Sequence, residues 1–485
     1  MNNLNIDTKL VLTIVGTFFF SYLFTFPTGW LISDEYSYLN QGIALANGEK
    51  LLLYTDAVAE QLIPYNGTKY PLGNAFWIAL WIKICGLNYA YFGSLICVLL
   101  SAFLTYKILA KESLYKLSLG LLFVYPSLVF FSHSFMSSLP SLLAVSTFMY
   151  VLFRVNESGR KWLILSFIAA ISFWIRETNI VLLGSICFIH FLQDRRWLLF
   201  YMGGTILGLL PRILSSYYLY GDPFYYVLGD NFSIYSFISN LRVYGILLLC
   251  FMPLGLYFIK SYRGRYFVPI QISTLLFILT YLFYSFNSTA YSGFNKGIIL
   301  MGRFLIPLLP IFIITVGWYF QKVDRNNKLE FVDSQFFKYS ITILVSLLII
   351  VMQVFIYKEA KIHKEISNHI YSTYSDKMVM FDLSRTTNVI RYINPYHGNM
   401  KFMSDISNLE DDIFMSELFS KFDETYLIQT LNSANNEKKN YTSRIDEKIK
   451  EAGNIYAVAE VELIKIKPFL YLQVLEINAN YGKEK

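Results

Sequence analysis

Apolar runs of about 20 residues recur through the first 357 positions of this 485-residue chain, and that recurrence limits its fold more than any other feature. A helix rises 1.5 Å per residue, so such a run crosses a hydrocarbon layer roughly 30 Å thick. Candidate spans fall at 10–31, 89–109, 114–132, 136–153, 162–175, 178–192, 198–219, 241–259, 266–286, 303–320 and 338–357, with a further ambiguous stretch at 71–86. At 55% hydrophobic and 15% charged residues the chain holds more apolar surface than a soluble core can hide, which excludes an ordinary soluble enzyme. Cys85, Cys97, Cys187 and Cys250 all sit in apolar stretches, where a free thiol acts as a small hydrophobe, so a disulfide scaffold is excluded too. The net charge of +7 has no basic cluster with interleaved aromatics behind it, and nucleic acid is not an expected partner.

Charge then divides the chain. Charged residues occupy 39 of the first 357 positions and 36 of the last 128, so the solvent changes near Tyr357. This gives two domains, a membrane domain at 1–357 with a long external loop at 32–88, and a water-soluble domain at 358–485. Lys and Arg gather on the cytoplasmic side of short connections. Lys9; Lys107, Lys111 and Lys116; Arg154, Arg160 and Lys161; Arg195 and Arg196; Lys260, Arg263 and Arg265; and Lys322, Arg325, Lys328 and Lys338 occupy alternate connections. The alternation holds only if 71–86 stays in the plane of the membrane or re-enters it. The expected fold is therefore an α-helical polytopic membrane protein with about eleven spans and an in-plane helix. Its N-terminus is cytoplasmic and its small C-terminal α/β domain extracytoplasmic.

Two neighbouring spans are short. The 14 residues from Trp162 to Ile175 cover roughly 21 Å, so the connection Arg176-Glu177 should lie below the outer interface. A guanidinium at that depth needs an anionic partner or a wet cavity. In the tail, runs at 377–383, 424–430, 454–464 and 469–477 have strand patterns, and 408–422 and 441–452 have helical ones. The tail has no phosphate loop, metal-spaced His/Cys set or nucleophile elbow; it suits covering the outer mouth of the membrane domain or recognising an acceptor.

The candidate catalytic groups are Asp34 and Glu35, directly after the first span. Ser33 or Asp34 also suits a helix cap for a helix running to about Ala46. A carboxylate here is equally placed to take a proton from an acceptor hydroxyl. Neighbouring helical residues point about 100° apart, so the two acids should not share one role. Lys69 precedes Tyr70-Pro71-Leu72-Gly73-Asn74, the opening of the in-plane helix, and suits either a snorkelling anchor or a charge for an anionic head group. Arg176 is the second cation, with a local pair to Glu177 or another acid as the competing reading. Arg303, opening the run to Pro310, is the third, and Arg212 follows Pro211 inside a span and needs a partner. One proton acceptor facing several cations suits attack by an alcohol and departure of a phosphate. No Asp-x-Asp pair occurs in the first loop, so neither a divalent metal nor another cofactor is indicated.

These features resemble the polyprenyl-phosphate-sugar-dependent glycosyltransferases of the GT-C fold class, the group that includes protein O-mannosyltransferases and lipid A aminoarabinose transferases. The motifs are Asp34-Glu35, Lys69 through Gly73, Arg176 between short spans, Tyr220-Gly221-Asp222-Pro223-Phe224 outside, and Arg303 to Pro310; they span most of residues 1–357. The resemblance implies that Asp34 is the general base, that Lys69 and Arg176 hold the lipid phosphate, and that Arg303 assists. Asp222 and Arg212 would be accessory. It also implies an inverting transfer from a dolichyl or undecaprenyl phosphate sugar to a protein, lipid or glycan hydroxyl, with membrane lipids as the other partners. Several relatives carry an acid in the external turn that here contains His133, which either replaces it or belongs to an ordinary polar turn. A transporter or flippase of lipid-linked saccharides, or a polymerase, is the competing class. Transporters usually show internal repeats, and none is visible.

Overall fold

The computed structural model describes residues 6–27, 31, 33–49, 53–55, 62–64, 71–112, 114–223, 232–251, 262–264, 266–284, 294–324, 334–374, 377–381, 402–405, 425–432, 439–440, 456–467 and 470–479. The chain divides into two compact units, one of Met1–Pro27 with Tyr70–Tyr357 and the other of Thr28–Lys69 with Lys358–Lys485. Residues 28–69, expected as part of the membrane domain, thus group with the C-terminal segment.

The first unit is a helical membrane body. Its helices are α1 (Ile6–Phe24), α3 (Leu72–Cys85), α4 (Phe92–Lys111), α5 (Gly120–Val124), α6 (Pro126–Phe131), α7 (Ser138–Arg154), α8 (Gly159–Ile175), α9 (Ser185–Gln193), α10 (Leu198–Tyr220), α11 (Ser236–Ile246), α12 (Phe267–Phe283), α13 (Phe294–Gly302) and α14 (Leu309–Asp324), followed by α15 (Gln335–Tyr374), which runs on into the second unit. Among the described residues, five helical stretches are long and apolar enough to cross a membrane, at Ile6–Phe24, Leu87–Lys111, Arg195–Tyr220, Ile298–Lys322 and Gln335–Tyr374. Shorter apolar helices, α3, α7 and α12 among them, lie between these five.

Local chemistry explains where helices stop. The expected span 114–132 is broken into α5 and α6 at Tyr125, which is extended because the ring of Pro126 crowds the helical conformation of the residue before it. The expected span 303–320 opens as a 3₁₀ segment, Arg303–Leu308, where Pro307 removes one backbone donor. Ser158 caps α8 by accepting from the Lys161 amide, and Gly221 closes α10 in the left-handed conformation at φ 74°. α8 and α10 pack closely because Gly204 and Gly208 have no side chain. A Cβ on Gly208 would stand 2.6 Å from the Phe167 carbonyl oxygen.

In the second unit, α2 (Ser33–Asn47) precedes an antiparallel pair, β1 (Leu53–Thr55) and β2 (Leu62–Pro64). The C-terminal segment builds a mixed sheet. β3 (Met378–Phe381) runs parallel to both β4 (Phe402–Asp405) and β5 (Thr425–Asn432). β8 (Leu470–Ala479) pairs antiparallel with β5 and with β7 (Tyr456–Lys467), and the short β6 (Lys439–Asn440) joins β5. The four expected strands are present, and β4 and β6 are additions. The expected helices at 408–422 and 441–452 lie outside the described residues.

Candidate active site

The turn after α8 is held from several sides. The Arg176 amide donates to the Ser172 carbonyl at 2.9 Å, and Asn179 Nδ2 donates to the same carbonyl at 3.0 Å and to Ser141 Oγ at 3.0 Å. The first turn of α3 presses on this place. Gly73 lies so close to Trp174 that a Cβ would stand 2.6 Å from its carbonyl oxygen, and Phe76 meets the Trp174 ring at 5.0 Å. The motif opening the expected in-plane helix and the Arg176 turn are therefore neighbours. A π-helical segment, Ile180–Gly184, follows directly, a local unwinding common at functional sites.

Arg176 is half-buried, and its guanidinium carbon lies 4.8 Å from the centre of the Phe304 ring and 5.6 Å from that of Tyr281. Arg303, 5% exposed, places its guanidinium carbon 4.9 Å from the same Phe304 ring and 5.9 Å from Phe131. Two cations thus share one aromatic ring. Phe304 is stacked on Tyr281, with centroids 4.8 Å apart and planes inclined by 27°. The Tyr281 and Thr178 hydroxyls are hydrogen-bonded at 2.6 Å, which ties the stack back to the Arg176 turn.

The supports of this cluster come from three further elements. Asn240, buried on α11, donates through Nδ2 to the carbonyls of Tyr281 at 3.2 Å, Leu282 at 3.1 Å and Tyr284 at 2.7 Å, so it satisfies the free end of α12. Tyr125 Oη donates to the Gly302 carbonyl at 2.7 Å. A Cβ on Gly302 would meet Ser127 Oγ, so this glycine lets the end of α13 pack close to α6. These contacts hold the backbone from which Arg303 projects.

The competing pair for Arg176 is taken by another residue. Glu177 Oε1 lies 3.7 Å from Arg212 Nη1, and that guanidinium also donates to the Phe173 carbonyl at 3.3 Å and stacks on the Phe173 ring at 4.0 Å. Arg212 thereby has the partner its depth requires, and its charge is compensated. Among the described residues Arg176 makes no ion pair with a carboxylate.

Glu35 is fully buried, and its Oε2 accepts from the Leu31 amide at 2.9 Å, which satisfies backbone at the start of α2 in the manner of a capping box. The side chain of Asp34 and the whole of Lys69 lie outside the described residues. His133 is 2% exposed and enclosed by the Thr25 hydroxyl at 3.3 Å, Ser132 Oγ at 3.0 Å and the Tyr22 ring at 4.6 Å, inside a polar turn between α6 and α7. Asp222 is exposed just beyond α10. Among the described residues no three His, Cys, Asp or Glu side chains gather as metal ligands. Phe304, Tyr281, Thr178 and Asn240 were absent from the sequence-level candidates. In a chain with 42 Phe and 38 Tyr, no pattern distinguishes a cation-bearing ring from a core ring.

No protein-family model matches this chain, and no curated protein sequence does. Solved structures do. A crystal structure of ArnT from Cupriavidus metallidurans in the apo state matches with a TM-score of 0.61 at 10% identity, over 97% of this chain and 98% of that one. A structure of the same protein bound to undecaprenyl phosphate matches with a TM-score of 0.54 at 12% identity, again over 97% and 98%. The fold is therefore that of these ArnT structures, the GT-C fold the sequence motifs resemble, and the chain is an integral membrane protein by its fold and its apolar helices.

Proposed function

We propose that this protein is a membrane glycosyltransferase that moves a sugar from a polyprenyl phosphate to a hydroxyl of a protein, lipid or glycan on the extracytoplasmic face. The observation that carries this reading is the pair of guanidiniums, Arg176 and Arg303, set against the single Phe304 ring. Both occur in a fold shared with a protein solved with undecaprenyl phosphate bound. A phosphate arriving between the two guanidiniums would accept charge-assisted hydrogen bonds from both.

In the proposed reaction the acceptor hydroxyl oxygen attacks the anomeric carbon from the face opposite the phosphate. The bond from that carbon to the phosphate oxygen breaks, its electron pair stays on the leaving phosphate, and the configuration inverts. Asp34 takes the hydroxyl proton as general base. Arg176 and Arg303, with Lys69, meet the charge that grows on the leaving oxygen, so guanidinium and ammonium groups do the work a divalent metal does elsewhere.

Asp34→Asn tests the base directly. Transfer by the purified variant from an undecaprenyl-phosphate sugar should fall by roughly 10²- to 10⁴-fold with expression intact, whereas near-normal turnover removes Asp34 from the mechanism. The proposed orientation has the N-terminus in the cytoplasm and the C-terminal segment outside. Reporter fusions at residues 160 and 400 should fall on opposite sides of the membrane, and finding both on one side overturns the orientation.

A further inference from the structure

An anion site made of two guanidiniums has to solve a problem before any anion arrives: like charges repel. Arg303 and Phe304 are consecutive residues of a 3₁₀ segment, where adjacent side chains point about 120° apart. Even so the Arg303 guanidinium turns back to 4.9 Å from its neighbour's ring, and Arg176, delivered by a different part of the chain, comes to 4.8 Å from that same ring. A π-system attracts a desolvated cation, and here one ring attracts two. An aliphatic side chain of the same bulk fills the space and supplies none of that attraction.

The ring is itself fixed. Tyr281 stacks on it at 4.8 Å, Tyr284 meets it edge-on at 5.9 Å, Thr178 holds the Tyr281 hydroxyl, and Asn240 holds the end of the helix that carries Tyr281. Every one of these residues lies in the first compact unit. The chain from Asn240 to Tyr281 to Phe304 ends on both guanidiniums.

We infer that Phe304 is a positioning residue of the anion site: its ring, backed by Tyr281, sets the spacing at which Arg176 and Arg303 together meet a lipid-borne phosphate. The inference rests on the reading of this cluster as the site for a polyprenyl phosphate. Phe304 touches the cations and not the reacting atoms, so its loss acts through them.

The test uses the full-length protein in detergent and two probes, undecaprenyl phosphate and the uncharged undecaprenol, titrated against wild type, Phe304→Leu, Phe304→Tyr and Arg176→Ala. A monodisperse elution profile accompanies each titration. Phe304→Leu should lose about tenfold of the preference for the phosphate over the alcohol, the scale expected when a desolvated cation–π contact to each arginine is removed. Phe304→Tyr keeps a π-face and should stay within about twofold of wild type. If Phe304→Leu weakens both lipids equally, or keeps the wild-type preference while Arg176→Ala loses it, the positioning role is overturned and the phosphate-site reading stands. A wild type with no preference for the phosphate, or an Arg176→Ala variant that keeps it, overturns both. Where Phe304→Leu elutes as aggregate, Phe304→Met is the replacement, with the same expected loss of preference and the same overturning result.

Discussion

The two ends of α8 handle buried positive charge in opposite ways. At its start, Lys161 is fully buried and fully compensated. Its Nζ donates to Tyr266 Oη at 2.7 Å and to Glu157 Oε2 at 3.2 Å, and Tyr266 Oη donates to the same carboxylate oxygen at 2.8 Å. The Trp162 indole donates to the other oxygen, and His190 Nε2 stands 3.8 Å from it while its ring stacks on Trp162 at 3.7 Å. At the far end, Arg176 has no carboxylate in ion-pair range among the described residues and rests on Phe304 and Tyr281. The nearest acid, Glu177, is engaged with Arg212. The Lys161 charge is supplied with an anion by its own chain, whereas the proposed anion site lies at the end where the charge rests on aromatic rings.

The sharpest way to break this comparison is at the compensated end. Glu157→Ala removes the carboxylate partner of the buried Lys161 ammonium, which should cost about 1.5–3 kcal/mol of stability. Thermal unfolding in detergent reads that loss, while turnover per folded molecule stays near wild type. The pattern should reverse at the other end. Arg176→Ala should reduce transfer by about 10²- to 10³-fold, the usual cost of removing one preorganised charge-stabilising group, with little change in unfolding temperature. If both variants fail in the same way, the distinction between the two ends falls.

A smaller effect follows from the support of Arg303. Gly302→Ala sets the added methyl against the Ser127 and Tyr125 hydroxyls; where these do not give way the backbone that carries the guanidinium shifts, and a shift on the order of 1 Å can cost up to about 10²-fold in turnover. Turnover at saturating donor should fall more than expression does; normal turnover shows that the site tolerates the shift.

The smallest effect is one of pH. Burial raises the proton affinity of Glu157, but hydrogen bonds from Tyr266 and Trp162 and the Lys161 charge outweigh it and hold the carboxyl below the usual carboxylate range. A carboxyl with a depressed folded-state pKa contributes stability above its unfolded value and loses it as pH falls through the folded one. Wild type should therefore lose unfolding temperature on going from pH 7 to below the carboxylate range, and Glu157→Gln should lose less over the same interval. Equal losses remove Glu157 as the source.

The sequence carried the helical membrane architecture because apolar density needs no tertiary information. It also located the turn that holds Arg176, since short apolar runs flank that charged connection. Two element boundaries were not recoverable in this way. Hydropathy passes smoothly over Tyr125-Pro126, where the backbone breaks, and α15 continues to Tyr374 well beyond the change in charge density at Tyr357. The pairing of Glu177 with Arg212 joins the turn after α8 to α10, and Phe304 takes its meaning from Arg176 more than a hundred positions away. Such contacts between distant segments leave no periodic trace in one sequence. Of the adjacent candidates Asp34 and Glu35, the fold assigns Glu35 to the Leu31 amide, and the side chain of Asp34 lies outside the described residues.

The central claim is that the Arg176 end of α8, which has no carboxylate ion pair among the described residues, binds the phosphate of a lipid carrier and the Lys161 end does not. Equilibrium binding of undecaprenyl phosphate to Arg176→Ala and Glu157→Gln, measured side by side below the unfolding temperature of either, tests it most directly. Arg176→Ala should bind at least about tenfold more weakly than wild type, as expected for the loss of one charge-assisted contact, and Glu157→Gln should bind as wild type does. Wild-type affinity in Arg176→Ala would contradict the account.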